Sequence, residues 1–191
     1  LNKVNADIVT GPQKYKQNNK GIENNYSLLF EKNYKNNIVK VKWAASNNVF
    51  FKCSILKNMK NISFDKNLNK FGIGEDQLFF SLINKAGYKI YWSKNIFVTE
   101  EIHSHRTNIK WVKERSKRLG ILGHYLDIKL NGIVFGYLIN YLKSFYLLFL
   151  SIFGYFNFLS LNRPLNYTNN FFRFYGKLIG PFAIKKIKFS K

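Results

Sequence analysis

Cysteine is almost absent from this sequence: Cys53 is the only one in 191 residues. A disulfide framework and a thiolate metal site both need more, so neither is encoded, and a reducing compartment is the natural setting. Acidic residues are scarce as well. Asp and Glu number 10 against 31 Lys and Arg, a formal net charge of +21. That balance points to an anionic partner, whether phosphates, nucleic acid or an acidic lipid surface. Part of it is compositional, because Lys far outnumbers Arg and Asn is abundant, as in AT-rich coding. No secretory leader is visible either: no charged stretch followed by an apolar run opens the sequence at Leu1. Strand-like Ala6-Asp7-Ile8-Val9-Thr10 is reached almost at once and closes on Gly11-Pro12. The sequence therefore reads as the later part of a longer one.

Aromatic residues, by contrast, make up 18% of the chain, far too many for a disordered basic tail. The cations are spread along the chain and mixed with a long apolar stretch, so nucleic acid is not the expected partner. After the first strand, residues 13–37 are rich in Lys, Asn and Tyr and are expected to hold loops and one short helix. Val39 to Val49 alternates with a period near two and predicts a strand, and Phe50 to Lys60 predicts a short helix. From Glu75, Leu78, Leu82 and Ala86 fall on one helical stripe with Phe79 and Ile83 beside it; Lys85 and Gly87 are stop signals. Tyr88 to Glu100 reads as strand, and a helix is predicted from about Asn108 to Leu119, closed by Gly120. Alternating strands and helices argue for an α/β core over residues 1–125.

Residues 126–191 form a different, hydrophobic and basic tail that is expected to be helical. Between Gly132 and Leu161 the only charge is Lys143. A spanning helix needs about 20 mainly apolar residues, and this run is long enough, with Asn140, Lys143 and scattered glycines making it a borderline span. The end mixes Phe171-Phe172-Arg173-Phe174-Tyr175 with Lys185-Lys186-Ile187-Lys188, a composition suited to a membrane interface with anionic headgroups.

The residues that could carry chemistry begin with Glu75 and Asp76. The glycine-flexed loop Gly72-Ile73-Gly74 delivers both carboxylates to the first turn of a helix, where N–H groups and the dipole favour negative charge. Taken by itself the pair is a helix cap; the functional alternative is a general base that deprotonates a hydroxyl nucleophile. Trp111, Arg115 and Arg118 fall on one helical face, and two guanidinium forks there could hold a diphosphate or an anionic acceptor. A solvated face and a packing tryptophan are the plainer alternatives. His103 and His105 form a His-x-His pair with no supporting carboxylate or cysteine cluster, so no metal site is expected from them.

Order and spacing add to these parts. Ser46-Asn47-Asn48-Val49-Phe50-Phe51 is followed by Phe64-Asp65, then Gly74-Glu75-Asp76-Gln77-Leu78-Phe79, then Ala86-Gly87-Tyr88-Lys89-Ile90 and Val98-Thr99-Glu100. Arg106, Trp111, Arg115, Arg118 and Gly120 complete the series. The series resembles the second half of the family 2 glycosyltransferases, nucleotide-sugar-dependent enzymes of GT-A fold. The resemblance covers about residues 6–120, and Gly74-Glu75-Asp76 with Phe79 and Ala86-Gly87 is its most specific part. It implies a partial GT-A sheet with flanking helices. Asp76 would be the catalytic base for an acceptor hydroxyl attacking the anomeric carbon with inversion, and Glu75 would orient the acceptor. Asn48, with Asn47 and Trp43, would line the acceptor side, although a core strand explains Trp43 equally well. Arg106, Arg115, Arg118 and Trp111 would bind substrate.

The partners implied are a nucleotide-sugar donor, a glycan or lipid-linked acceptor, and membrane lipids at the cytoplasmic face of the cell membrane. Such enzymes hold Mg²⁺ or Mn²⁺ through an Asp-x-Asp motif in their first half, and nothing in this sequence matches it: Asp7 stands by itself. These residues are therefore expected to be inactive without a donor-binding half. The rival reading is a non-catalytic, basic membrane-surface module that binds anionic lipid.

Overall fold

The computed structural model describes residues 5–17, 34–59, 62–69, 72–103, 106, 108–161 and 164–189. They fall into two compact units that divide between Ile102 and His103. The first is mixed α/β and the second is helical.

In the first unit, strands β1 (Ile8–Thr10), β3 (Ile38–Val41), β4 (Val49–Phe51) and β5 (Ile90–Ser93) form one mixed sheet in the order β3-β5-β1-β4. β1 pairs parallel to β5 and antiparallel to β4, so Ile8 lies opposite both Ile90 and Phe51. A strand flanked on both sides and covered by helix should be apolar throughout, and Ile8, Val9 and Thr10 are all buried. Helix α3 (Glu75–Lys85) supplies the cover with Leu78, Phe79, Phe80 and Ile83. Ile8, Ala44, Ile55, Phe79, Phe80, Ile83 and Ile90 form the core cluster. Helices α1 (Ser54–Asn58) and α2 (Lys66–Asn69) are single turns. A separate parallel pair joins β2 (Gln13–Gln17) to β6 (Val98–Ile102).

Several expectations change here. The predicted strand over Val39–Val49 is two strands, because the chain leaves the sheet after Val41 and makes a 3-10 turn at Ser46–Asn48 before β4. The bend at Gly11 has a steric cause beyond turn chemistry: a Cβ there would lie 1.5 Å from the carbonyl oxygen of Ile96. The short helix expected within residues 13–37 lies outside the described residues except at its edges, where Gln13–Gln17 is a strand.

Asp7 ties three strands together. Its Oδ2 accepts from the backbone N–H of Lys89 at 2.9 Å and its Oδ1 from Lys52 Nζ at 3.0 Å. The Lys89 N–H, helped by the Lys52 ammonium, holds the Asp7 carboxyl below its ordinary value.

The second unit is three long helices, α4 (Ile109–Asn131), α5 (Ile133–Leu161) and α6 (Pro164–Phe189). α4 starts where expected, with the Asn108 side chain accepting from Trp111 N–H at 2.8 Å. It does not stop at Gly120 but continues to Asn131. Gly120 is instead the point where α6 crosses: a Cβ on it would sit 2.2 Å from the Arg173 carbonyl oxygen, and one on Gly176 would sit 2.1 Å from that of Lys117. Small residues that let helix backbones touch are the usual device of bundles in lipid. α5 turns three of its small polar residues inward and many of its large apolar ones outward. Asn140, Ser144 and Ser151 are buried, while Phe135, Leu138, Leu142, Phe145, Phe149 and Phe153 are exposed.

Two stability measurements follow. Asp7→Asn should cost about 1–2 kcal/mol at neutral pH, most of it the charged hydrogen bond from Lys89, since the half-exposed Lys52 pair adds little. A carboxyl with a depressed folded pKa stabilises fully above its ordinary value of about 4, and this is lost as pH falls through the lower folded value. Denaturant titrations should therefore show the wild-type advantage shrinking in acid; an advantage unchanged at pH 2 would contradict the assignment. Gly120→Val should lower the thermal stability of the helical unit by about 2 kcal/mol or more by forcing α4 and α6 apart, read by circular dichroism; no change would contradict the close crossing.

Candidate functional site

The start of α3 is built by backbone geometry. Gly74 adopts φ 92°, a left-handed conformation open to glycine, and turns the chain so that Glu75 and Asp76 occupy the first turn. Gly87, at φ 102°, ends the same helix as expected. Asp76 does not cap through solvent. Its Oδ2 accepts from the backbone N–H of Ser46 at 3.0 Å, with the Ser46 hydroxyl at 3.5 Å, and its Oδ1 accepts from the N–H of Gln77 at 2.7 Å. A carboxylate offers about four lone-pair positions, so the half-buried Asp76 keeps acceptor capacity after these contacts. Beside it, Glu75 Oε2 is shielded from solvent and has no hydrogen-bond partner among the described residues. A buried acceptor left unmet is uncommon in folded proteins.

Other residues of the series meet at the same place. Phe64 stacks on Phe79 with ring centroids 4.5 Å apart and planes 16° from parallel. Asp65 turns to its own chain, its Oδ1 accepting from Asn67 N–H at 2.8 Å. Segments 46–48, 64–65 and 74–79 are thus joined by direct contacts.

Asn48 has structural contacts of its own. Its side-chain amide donates to the carbonyls of Pro12 at 3.2 Å and Ile96 at 3.0 Å, and its own carbonyl accepts from the Thr10 hydroxyl at 2.7 Å. It is buried and clamps the end of β1 to the neighbouring loops. Asn47 is exposed and half-buried Trp43 packs on the core.

The remaining expected residues belong to the helical unit. Arg106 is half-buried, its N–H donating to the His103 carbonyl at 2.9 Å. Trp111 and Arg115 share a face of α4, the guanidinium lying 5.0 Å from the indole ring, and Arg118 is exposed. His105 lies outside the described residues. Among the described residues no three of His, Cys, Asp and Glu come together as metal ligands. Ser46 stands in the series with no role assigned to it, and no signal could have given this one, because the donor is a backbone N–H common to every residue but proline. No protein-family model matches the chain, and no curated protein matches it.

The Ser46 contact is separable by substitution. Ser46→Ala should change stability by less than about 0.5 kcal/mol, because the hydroxyl lies at the limit of hydrogen bonding. Ser46→Pro removes the N–H at the first position of its turn and should cost about 1–3 kcal/mol by stranding Asp76. Equal effects in denaturant titrations would mean that the backbone donor does not hold the carboxylate.

Proposed function

We propose that this chain carries the acceptor-side part of a family 2 glycosyltransferase that works at a membrane. The observation that carries the reading is the hydrogen bond from Ser46 N–H to Asp76, which fastens the Ser46-Asn47-Asn48 segment to the Gly74-Glu75-Asp76 helix start. The spare acceptor capacity of Asp76 suits a base. An acceptor hydroxyl oxygen attacks the anomeric carbon of the nucleotide sugar and the bond to the diphosphate breaks. The hydroxyl proton passes to Asp76, and the configuration inverts. Glu75 Oε2, with no donor among the described residues, would take a second hydroxyl of the acceptor and so orient it. Arg115 and Arg118 remain proposed anion-binding groups of the helical unit.

The described residues do not form a site for Mg²⁺ or Mn²⁺, so no step is routed through a metal. Donor-binding residues outside these 191 belong to the proposal, and without them the chain is expected to be inactive. The acceptor would be a glycan or a lipid-linked hydroxyl, reached from the cytoplasmic face.

Membrane attachment rests on α5. Over Ile133–Phe156 it is long and apolar enough to cross a bilayer. At 1.5 Å per residue this stretch reaches about 36 Å, against about 30 Å of hydrocarbon. The same helix, with the basic surplus, favours the second reading of a non-catalytic module on anionic lipid.

Asp76→Asn separates the two. In the protein with its donor-binding residues, sugar transfer should fall by roughly 10²–10⁴-fold, as for loss of a positioned base, while nucleotide-sugar binding is kept. Near-normal turnover would sink the base assignment, and an Asp76 protein with no transfer to any hydroxyl acceptor would leave the lipid-binding module in its place.

A further inference from the structure

The interior of the helical unit holds more positive charge than it can neutralise. Asp127 on α4 is buried and binds two ammonium groups, Lys177 Nζ of α6 through Oδ2 at 2.8 Å and Lys143 Nζ of α5 through Oδ1. Lys177 is itself only 7% exposed and also donates to Asn140 Oδ1 at 3.1 Å. Arg173 lies one turn before Lys177 on α6, is half-buried, and repels it. Among the described residues the Arg173 side chain makes no hydrogen bond or ion pair. Two ammonium groups thus share one carboxylate whose two oxygens are both engaged, and the Arg173 guanidinium adds a third positive charge near Lys177. Buried cation surplus is costly and persists where a ligand or partner compensates it.

The cluster opens in one informative direction. Buried Lys177 and Asn140 form its floor, while the Lys143 side chain is 55% exposed. Lys143 sits on the apolar helix between exposed Leu142 and Phe145. A ligand reaching Lys143 would have its anionic group at the cations and its remainder along the apolar outer face of α5.

We propose that Lys143, Arg173 and Lys177 form a site for the phosphate of an anionic membrane lipid, with its acyl chains along α5. The proposal rests on α5 facing lipid and is independent of glycosyl transfer. Arg supplies a fork that matches phosphate oxygens, and Lys supplies point charge. A basic pocket between helices beside the bilayer is a recurring form of headgroup recognition. Free phosphate shares the chemistry of the head but not the apolar track, which is why a lipid is the assigned source.

The test uses the full 191-residue chain in mild detergent, with lipid adducts counted by native mass spectrometry. Phosphatidylglycerol should be retained at least tenfold better than diacylglycerol with the same acyl chains and no phosphate. Lys143→Gln with Arg173→Gln should abolish that preference; both positions are less buried than Lys177, and circular dichroism checks the fold. Lys110→Gln with Lys113→Gln removes the same charge from the exposed side of α4 and should leave it intact. Equal retention of the two lipids by the wild-type chain would overturn the proposal without any variant. Equal loss in both double variants would overturn it in favour of diffuse attraction to a basic protein. Displacement of phosphatidylglycerol by millimolar inorganic phosphate would overturn the lipid as the source.

Discussion

The arrangement of α5 constrains the rest of the helical unit. Its large apolar side chains face outward, and Asn140, Ser144 and Ser151 face inward. In water this order is inverted, since each exposed apolar side chain forgoes roughly 1.5–3 kcal/mol of burial. In a bilayer it is the favoured order, because lipid covers the apolar face and polar groups must find partners inside. The partners are present: Ser144 hydroxyl donates to the Asn140 carbonyl at 2.7 Å, Ser151 to the Tyr167 carbonyl at 3.0 Å, and Lys177 bridges Asn140 and Asp127. Glycines at the α4–α6 crossing do the packing that large side chains do in water-soluble cores.

The α/β unit follows the ordinary rule. A central strand with no polar side chain but Thr10 is flanked by parallel and antiparallel neighbours and covered by α3. The packing that buries Phe79, Phe80 and Ile83 also fixes where the first turn of α3 begins. The Asp76 carboxylate, tied to Ser46 across 30 positions in sequence, is placed by that packing, as is the unmet oxygen of Glu75. A catalytic carboxylate needs this kind of support, because a base displaced by an ångström is a poor one.

The sequence revealed most where local signals act. The glycines around α3, its apolar stripe, Asn108 at the start of α4 and the apolar stretch of α5 all lay in short-range patterns, and the structure has them there. It misled where a local signal met a tertiary demand. Gly120 reads as a stop but is a point of helix contact, and the alternation from Val39 to Val49 hides a departure from the sheet after Val41. It was silent where contacts are long-range and chemically plain. Nothing in the spacing of Asp127, Lys143 and Lys177 announces that they meet, and the expected binding residue Asn48 spends its amide on Pro12 and Ile96.

The central claim is that α5 presents its apolar face to lipid and keeps its polar face within the helical unit. Photolabelling from a diazirine on the acyl chain of a bilayer lipid, followed by peptide mapping, tests it directly. The account predicts label at Phe135, Leu138, Leu142, Phe145 and Phe149, with Asn140, Ser144 and Ser151 protected. Label spread evenly around the helix, or a chain that takes up none in the presence of membranes, would contradict it.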